Sequence, residues 1–454
     1  MHDLQSLRRA AREIFVGAVS KVDAGDAVRR ALSLRGSRLR IDDAEFELLD
    51  GRTKIYSVAI GKAALPMALA LEVLLGERLD GGIISAPSSQ VSMPARWRVY
   101  AGGHPLPNLA SMEAARDAFD LLREADDNST LVIFLISGGG SAMLEWPHDA
   151  RLTLADLRET NRVLVNCGAR IVEVNAVRRV LSAVKGGGLS AAAPRAAQVS
   201  LIVSDTGAGR EQDVASGPTF MQSGMDADAA VADIFERYGL AARLPSSIVR
   251  ALKECKSSLT KLAEADVGPR KHLILLDKES ACAAAAEAAR ARGFQTEVAH
   301  DLEEQPVDEG AAESVARLLE LRRRAGAGSS GVCLISGGEF ACPVRGAGIG
   351  GRNAETALRC AFEFEDQASD NTREAWPRNM VALCAGTDGI DGNSPAAGAL
   401  ADHTTARRAR DGGLDPRKHL EESDAYTLFN RLGDAVVTGP TGTNVRDLRI
   451  MLAG

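Results

Sequence analysis

The stretch LVIFLISGGGSAM (131–143) decides how the chain is read. An unbroken run of branched and aromatic apolar residues ends abruptly in Ser-Gly-Gly-Gly-Ser. A strand without polar alternation is buried on both faces, as in a parallel sheet covered by helices. The same exit returns in GVCLISGGEFAC (331–342). In open α/β sheets, ligands bind beyond the carboxyl ends of strands, so the residues after each strand are the ones to examine.

Working outward, short apolar runs alternate with Ala/Leu/Arg-rich stretches. Strands are expected at 55–60, 81–85, 97–101, 131–136, 199–203, 272–276, 296–300, 331–335 and 380–385. Helical patterns fall between them, at 63–75, 109–125, 154–174, 246–264, 278–292, 307–325 and 353–364. This alternation predicts the α/β class with mostly parallel sheets. At 454 residues the chain exceeds one ordinary core. A charge-rich helical connection after ASGPTF (215–220) suggests domains at 1–245 and 246–454. The core of the second is expected at about 330–445, with the last residues returning to the N-terminal domain.

Composition narrows the function classes. The net charge is −7, aromatics are 4% and no long basic run occurs, which disfavours nucleic acid. No apolar run reaches membrane-spanning length. The opening residues read as an amphipathic helix, with Leu4, Leu7, Ile14, Phe15, Ala18 and Val19 at helical spacing, and not as a signal peptide. Seven cysteines without a CxxC pair read as buried free thiols, which suits a reducing cytoplasm.

The strand exits carry the chemistry. Gly61-Lys62 follows the strand at 55–60, and a cation at a helix start makes sense if it partners an anion; an exposed loop lysine would look the same. Ser137, Gly138, Gly139, Gly140 and Ser141 offer backbone N–H groups and two hydroxyls, a nest for phosphate or carboxylate or else a plain tight turn. NAVRRVLSAVKGGGLS (175–190) adds Arg178, Arg179 and Lys185, either anion ligands or a solvated face. Ser204-Asp205 ends another strand, where a carboxylate could serve Mg²⁺ or cap a helix. His104 sits in the exit loop GGHPLPN (102–108).

The segment SGGEFACPVRGAGIGGRNAET (336–356) places Glu339 after the second Ser-Gly-Gly. A flexible glycine loop ending in Gly350-Gly351 then leads to Arg352 and Asn353 at a helix start. An arginine there can stabilise transferring phosphoryl charge. Thr387, Asp388 and Asp391 follow the strand at 380–385, a second Mg²⁺ candidate or an Asx-turn cluster. Thr438, Thr441, Thr443 and Asn444 offer further polar contacts. A dinucleotide fingerprint, a Walker A loop and a GxSxG elbow are all missing.

Taken in order, AIGKAA, GGHPLPN, ISGGGSAM, VRRVLSAVKGGGL, ASGPT, ISGGE, GIGGRNAE, AGTDGIDG and TGPTGTNV resemble the class II glycerate kinases, the glycerate 2-kinase family with its C-terminal MOFRL domain. The resemblance spans nearly the whole chain. It implies a Rossmann-like N-terminal domain and a MOFRL-type C-terminal domain around a deep cleft. It also implies ATP- and Mg²⁺-dependent phosphorylation of D-glycerate to 2-phosphoglycerate. The family's catalytic lysine falls on Lys62 and its arginine on Arg352. Where a compact turn is expected after Ser204-Asp205, this chain reads SDTGAGREQDVASGPT (204–219), a departure that bears on Asp205 as a metal ligand. The expected partners are D-glycerate and ATP, with no nucleic acid or membrane; self-association and the choice of nest for each substrate stay open. The rival readings are a dehydrogenase acting on hydroxypyruvate or tartronate, and a non-catalytic sensor of a phosphorylated acid.

Overall fold

The computed structural model describes residues 3–48, 53–221, 227–254, 267–326, 330–369 and 379–454. The chain packs as two compact units, Ala24–Leu275 and Met1–Asp23 with Leu276–Gly454. Both are α/β. Among the described residues the strands form three sheets.

In the unit Ala24–Leu275, a small antiparallel meander comes first: β1 (Leu32–Arg35), β2 (Arg38–Ile41) and β3 (Ala44–Glu47). The main sheet holds β4 (Lys54–Ile60), β5 (Gly81–Ala86), β6 (Trp97–Ala101), β7 (Thr130–Ser137), β8 (Ala197–Val203) and β9 (Arg270–Leu276). Its order is β6-β5-β4-β7-β8-β9, with the pairs from β6 through β8 parallel. Counted along the chain this is the doubly wound order, which starts at the centre, fills one side, then returns to fill the other. The order reverses between β4 and β7, the kind of position at which open α/β sheets bind ligands. Ile60 pairs with Ile136, so the two strands end at the same level. Val58, Ile60, Val132, Phe134 and Ile136 are fully buried, each contributing roughly 1.5–3 kcal/mol of burial free energy. This is why the run at 131–136 carries no polar alternation.

The other unit has β10 (Gln295–Ala299), β11 (Val332–Gly337), β12 (Met380–Gly386), β13 (Gly398–Asp402), β14 (Ala435–Val436) and β15 (Asp447–Ala453). The order is β10-β11-β15-β12-β13-β14. β10 and β11 pair in parallel, while β15 runs antiparallel to both β11 and β12, and β13 antiparallel to both β12 and β14. β10, β11, β12 and β14 therefore share one direction, with β13 and β15 against them.

The partition differs from the sequence expectation in three places. The helix Ser246–Glu254 and β9 belong with the first sheet, so the division falls after Leu275; the rest of the helical stretch expected to 264 lies outside the described residues. The N-terminal helix Leu4–Lys21 joins the second unit. Its buried Leu7, Ala11, Ile14, Phe15 and Ala18 pack with Cys333, Ile335, Val381 and Ile450, and Arg8 pairs with Asp402 and Asp434. The last residues do not return to the N-terminal domain. They form β15 at the centre of the second unit's own sheet, buried along its whole length.

Candidate active site

At the reversal point of the first sheet, the exits of β4 and β7 are stitched together. Lys62 N donates to Gly138 O at 2.9 Å, and Ala63 N donates to Ser137 Oγ at 3.0 Å. Ser137 Oγ in turn donates to Ile60 O at 3.2 Å. The Ser137 hydroxyl is thus occupied by backbone and is not a ligand group. Gly61 turns the chain at φ +107°, and a Cβ there would stand 2.4 Å from Ser137 O, so only glycine fits.

The glycines of the nest make room for side chains. A Cβ on Gly138 would lie 1.9 Å from Asp205 Oδ2, and one on Gly139 would lie 3.0 Å from His104 Cδ2. Gly140 opens a short helix, Gly140–Met143, whose leading N–H groups have no intrahelical acceptors. Gly138 to Ser141, Asp205 and His104 therefore line one small region, with the Lys62 backbone bonded to its edge. Lys62 precedes the helix Ala64–Leu75, as the sequence predicts.

Three other predicted cations are placed differently. Lys185 is buried, 3% exposed, and paired with Glu145, which also accepts from Ser182 Oγ. Burial pushes the ammonium below its ordinary pKa, while Glu145 works against that. Lys185 is a structural cation, and it ties the turn at Gly186–Gly187 to the segment after the nest. Arg178 Nε donates to Asn161 Oδ1 at 2.7 Å, and burial lowers its pKa, partly countered by Glu145. Arg179 braces the loop after β8 through Ser216 O at 3.3 Å and Asp213 at 2.7 Å.

In the second unit Arg352 opens the helix Arg352–Ser369. Its Nε lies 2.7 Å from Asp447 Oδ2 and its Nη2 2.8 Å from Glu339 Oε2. Burial opposes its charge, but Asp447 and then Glu339 outweigh it and hold the guanidinium above its ordinary pKa. The result is an oriented cation at the exits of β11 and β12 and the entry of β15.

The glycine loop before Arg352 is packed against neighbouring segments. Gly350 N donates to Asn393 Oδ1 at 2.8 Å and Ile349 N to Asp424 Oδ1 at 2.8 Å. A Cβ on Gly351 would stand 2.2 Å from Asp391 Oδ1. Asp391 itself is no metal ligand. It is buried and caps the helix, accepting from Asn353 N at 3.0 Å, Ala354 N at 2.9 Å and Asn353 Nδ2. Loss of water pushes its carboxyl up to about 7 even so. Asn353 is buried in this cap and is not exposed to a ligand.

The second Ser-Gly-Gly does a different job from the first. Ser336 Oγ accepts from Arg449 Nε at 2.9 Å, and Gly338 N is spent on Asp447 O at 3.1 Å. Gly337 and Gly338 leave space for Lys278 and Glu303, with a Cβ at either position 2.6 Å from those side chains. Glu303 bridges Lys278 at 3.1 Å and Arg446 at 2.8 Å. Asp447, Arg446, Arg449, Lys278 and Glu303 escaped the sequence reading; the one signal was charge inside the apolar run RDLRIMLA (446–453). Among the described residues Arg446 Nε and Thr443 Oγ1 are buried without a hydrogen-bond partner, polar atoms that a ligand or water would satisfy. Thr441 Oγ1 donates to Thr387 O at 2.6 Å and knits its loop to the β12 exit.

A Mg²⁺ carried by phosphates needs only one or two protein carboxylates. Asp205 and Asp388 are half-buried at strand exits. Gly138 keeps the space in which the Asp205 carboxylate sits, and Asp388 Oδ1 also takes Ile390 N at 3.1 Å, an Asx turn. Among the described residues no three His, Cys, Asp or Glu side chains gather into a metal cage. Of the cysteines, Cys282, Cys333, Cys360 and Cys384 are buried, Cys167 and Cys342 partly so, and Cys255 lies outside the described residues. Among the described residues no helix is long and apolar enough to cross a membrane.

Residues 10–253 match a family described as a domain of unknown function, DUF4147, and residues 332–447 match the MOFRL family. D-glycerate 2-kinase of Thermotoga maritima is 32% identical over 100% of both chains. A putative hydroxypyruvate reductase of Agrobacterium vitis is 34% identical, covering 99% of this chain and 95% of that one. The crystal structure of a glycerate kinase from Thermotoga maritima superposes with a TM-score of 0.80 at 29% identity, covering 99% of this chain and 100% of that one.

Proposed function

The chain belongs to the glycerate kinase family with a C-terminal MOFRL domain, and from that footing we propose that it transfers a phosphoryl group from ATP to D-glycerate, giving 2-phosphoglycerate. The observation that carries the reading is the paired exit of β4 and β7, which puts Lys62, the glycine nest and Asp205 at the sheet's reversal point.

Phosphoryl transfer needs alignment and charge neutralisation more than covalent help from the protein. The glycerate 2-oxygen bonds to the γ-phosphorus as the bond to the departing ADP oxygen breaks, and the hydroxyl proton is released. In this reading Lys62 and the N–H groups of the Gly138–Ser141 turn bind the glycerate carboxylate. Arg352, oriented by Asp447 and Glu339, meets the charge that builds on the transferring group. Asp205 or Asp388 would hold Mg²⁺, which when bound neutralises phosphate oxygens.

Lys62→Ala and Arg352→Ala should each lower kcat by at least ~10²-fold, the scale of lost charge stabilisation. Phosphorus NMR of the product should show phosphate on O2. Near-normal turnover in both variants would remove these cations from the mechanism, and a 3-phosphate product would overturn the regiochemistry. NADH left unconsumed with hydroxypyruvate separates the kinase from a reductase.

A further inference from the structure

We infer that Ser141 reads the non-reacting hydroxyl of glycerate, acting purely as a hydrogen-bond acceptor; this rests on the kinase reading and assigns the nest at Ser137–Ser141 to the acceptor substrate. The argument follows the protons. Ser216 is fully buried and donates its hydroxyl proton to Asn175 Oδ1 at 3.1 Å. An amide oxygen can only accept, and a serine has one proton to give. Ser216 Oγ therefore meets Ser141 Oγ, 2.7 Å away, with a lone pair. The proton in that contact comes from Ser141. What Ser141 has left to offer a ligand is lone pairs, which repel a phosphate or carboxylate oxygen and attract a hydroxyl. On this reading neither serine hydroxyl donates to an anion, since Ser137 is spent on Ala63 and Ile60.

The fold holds this arrangement against its own backbone preferences. Ala215, Ser216 and Gly217 are consecutive left-handed residues, with φ of 51°, 63° and 68°, a conformation that non-glycine residues rarely take. The turn is held by Gly186 N on Ser216 O at 3.1 Å and by Arg179 on Ser216 O, Gln212 O and Asp213. Gly140 lets it approach, since a Cβ there would lie 2.8 Å from that of Ala215. Such over-determination fixes the position of Ser216 Oγ, and through it the direction of the Ser141 proton.

The proton chain ends on the Asn175 amide, which cannot carry a proton away. It is therefore suited to a hydroxyl that keeps its proton, and in glycerate that is the 3-hydroxyl. D-lactate has the same carboxylate and 2-hydroxyl but lacks the 3-hydroxyl, so it is the matched probe. Using the full chain with ATP and Mg²⁺, kcat/KM is measured for D-glycerate and D-lactate, with lactate read as a competitive inhibitor if it is not turned over. In Ser141→Ala the glycerate-over-lactate preference should fall about 5–10-fold, the scale of one neutral hydrogen bond, while KM for ATP holds. Ser216→Ala, which releases the Ser141 proton, should move the preference the same way by less, and Ser141→Thr should restore it. A parallel loss for both substrates, or a change confined to KM for ATP, overturns the assignment. Failure of the wild-type chain to phosphorylate glycerate instead overturns the kinase reading on which it rests.

Discussion

Replacing Gly138 with alanine should damage activity while leaving the fold nearly intact. An ideal Cβ at this position lies 1.9 Å from Asp205 Oδ2 and 2.5 Å from Asp205 Cγ. Non-bonded carbon and oxygen atoms do not settle closer than ~3 Å, so the carboxylate must retreat by roughly 1 Å. Gly138 is not among the positive-φ glycines, so its backbone accepts alanine without strain. Asp205 sits half-buried at a loop. Gly→Ala at a compatible site also lowers unfolded-state entropy by about 0.4–1 kcal/mol. The melting temperature should therefore change little. A displacement of ~1 Å in a positioning group can cost about 10²-fold in rate, equivalent to about 2.7 kcal/mol. The assay is a double-mutant cycle of kcat with Gly138→Ala, Asp205→Ala and both together. Once the carboxylate is gone only a tight 3.1 Å approach to Asp205 Cβ remains, so the double variant should be nearly as fast as Asp205→Ala alone. Multiplying defects, or a Gly138→Ala enzyme as fast as wild type, would refute the idea that Gly138 exists to seat Asp205.

Two further outcomes follow from buried charge in the second unit. The Asp391 carboxyl is pushed from 3.8 in the reference state up to about 7, with lost solvation as the main cause. A carboxyl whose folded pKa lies above its unfolded one stabilises most below pH ~4 and loses that contribution as pH rises to about 7, on the order of 4 kcal/mol in all. Denaturant unfolding of Asp391→Asn should accordingly show a flatter pH dependence across that window, offset downward by about 1–3 kcal/mol because the amide nitrogen faces a backbone donor; an unchanged slope contradicts the account. Arg449 is fully buried and serves Ser336 Oγ, Gly338 O, Leu302 O and Gly337 O, with its guanidinium 3.8 Å from the centre of the Phe340 ring. Arg449→Met should cost about 3–5 kcal/mol by leaving those acceptors unpaired. A loss under 1 kcal/mol in equilibrium unfolding would show that water reaches them.

The α/β class, the strands from 55–60 to 380–385 and the position of each loaded exit were legible from local pattern, because burial on both faces leaves uniformly apolar runs and tight exits demand glycine. Lys62, Gly138, Gly139, Gly140, Asp205 and Arg352 all stand at such exits or just beyond them, which is why the sequence draws attention to them. Pairing was not legible. The run RDLRIMLA (446–453) holds an arginine at its centre, and nothing local says that Gly338 O, Leu302 O and Ser336 Oγ will gather around it. Only the tertiary structure put β15 antiparallel between β11 and β12 and carried the N-terminal helix to the second unit. Only it showed that Lys185 is neutralised inside the protein by Glu145, a counterion far away in sequence. The direction in which Ser141 offers its proton also depends on Ser216 and Asn175, brought close by folding. Periodicity and turn chemistry are local properties of the chain, so the sequence reveals them. Charge compensation and hydrogen-bond direction depend on residues that meet only in the folded protein.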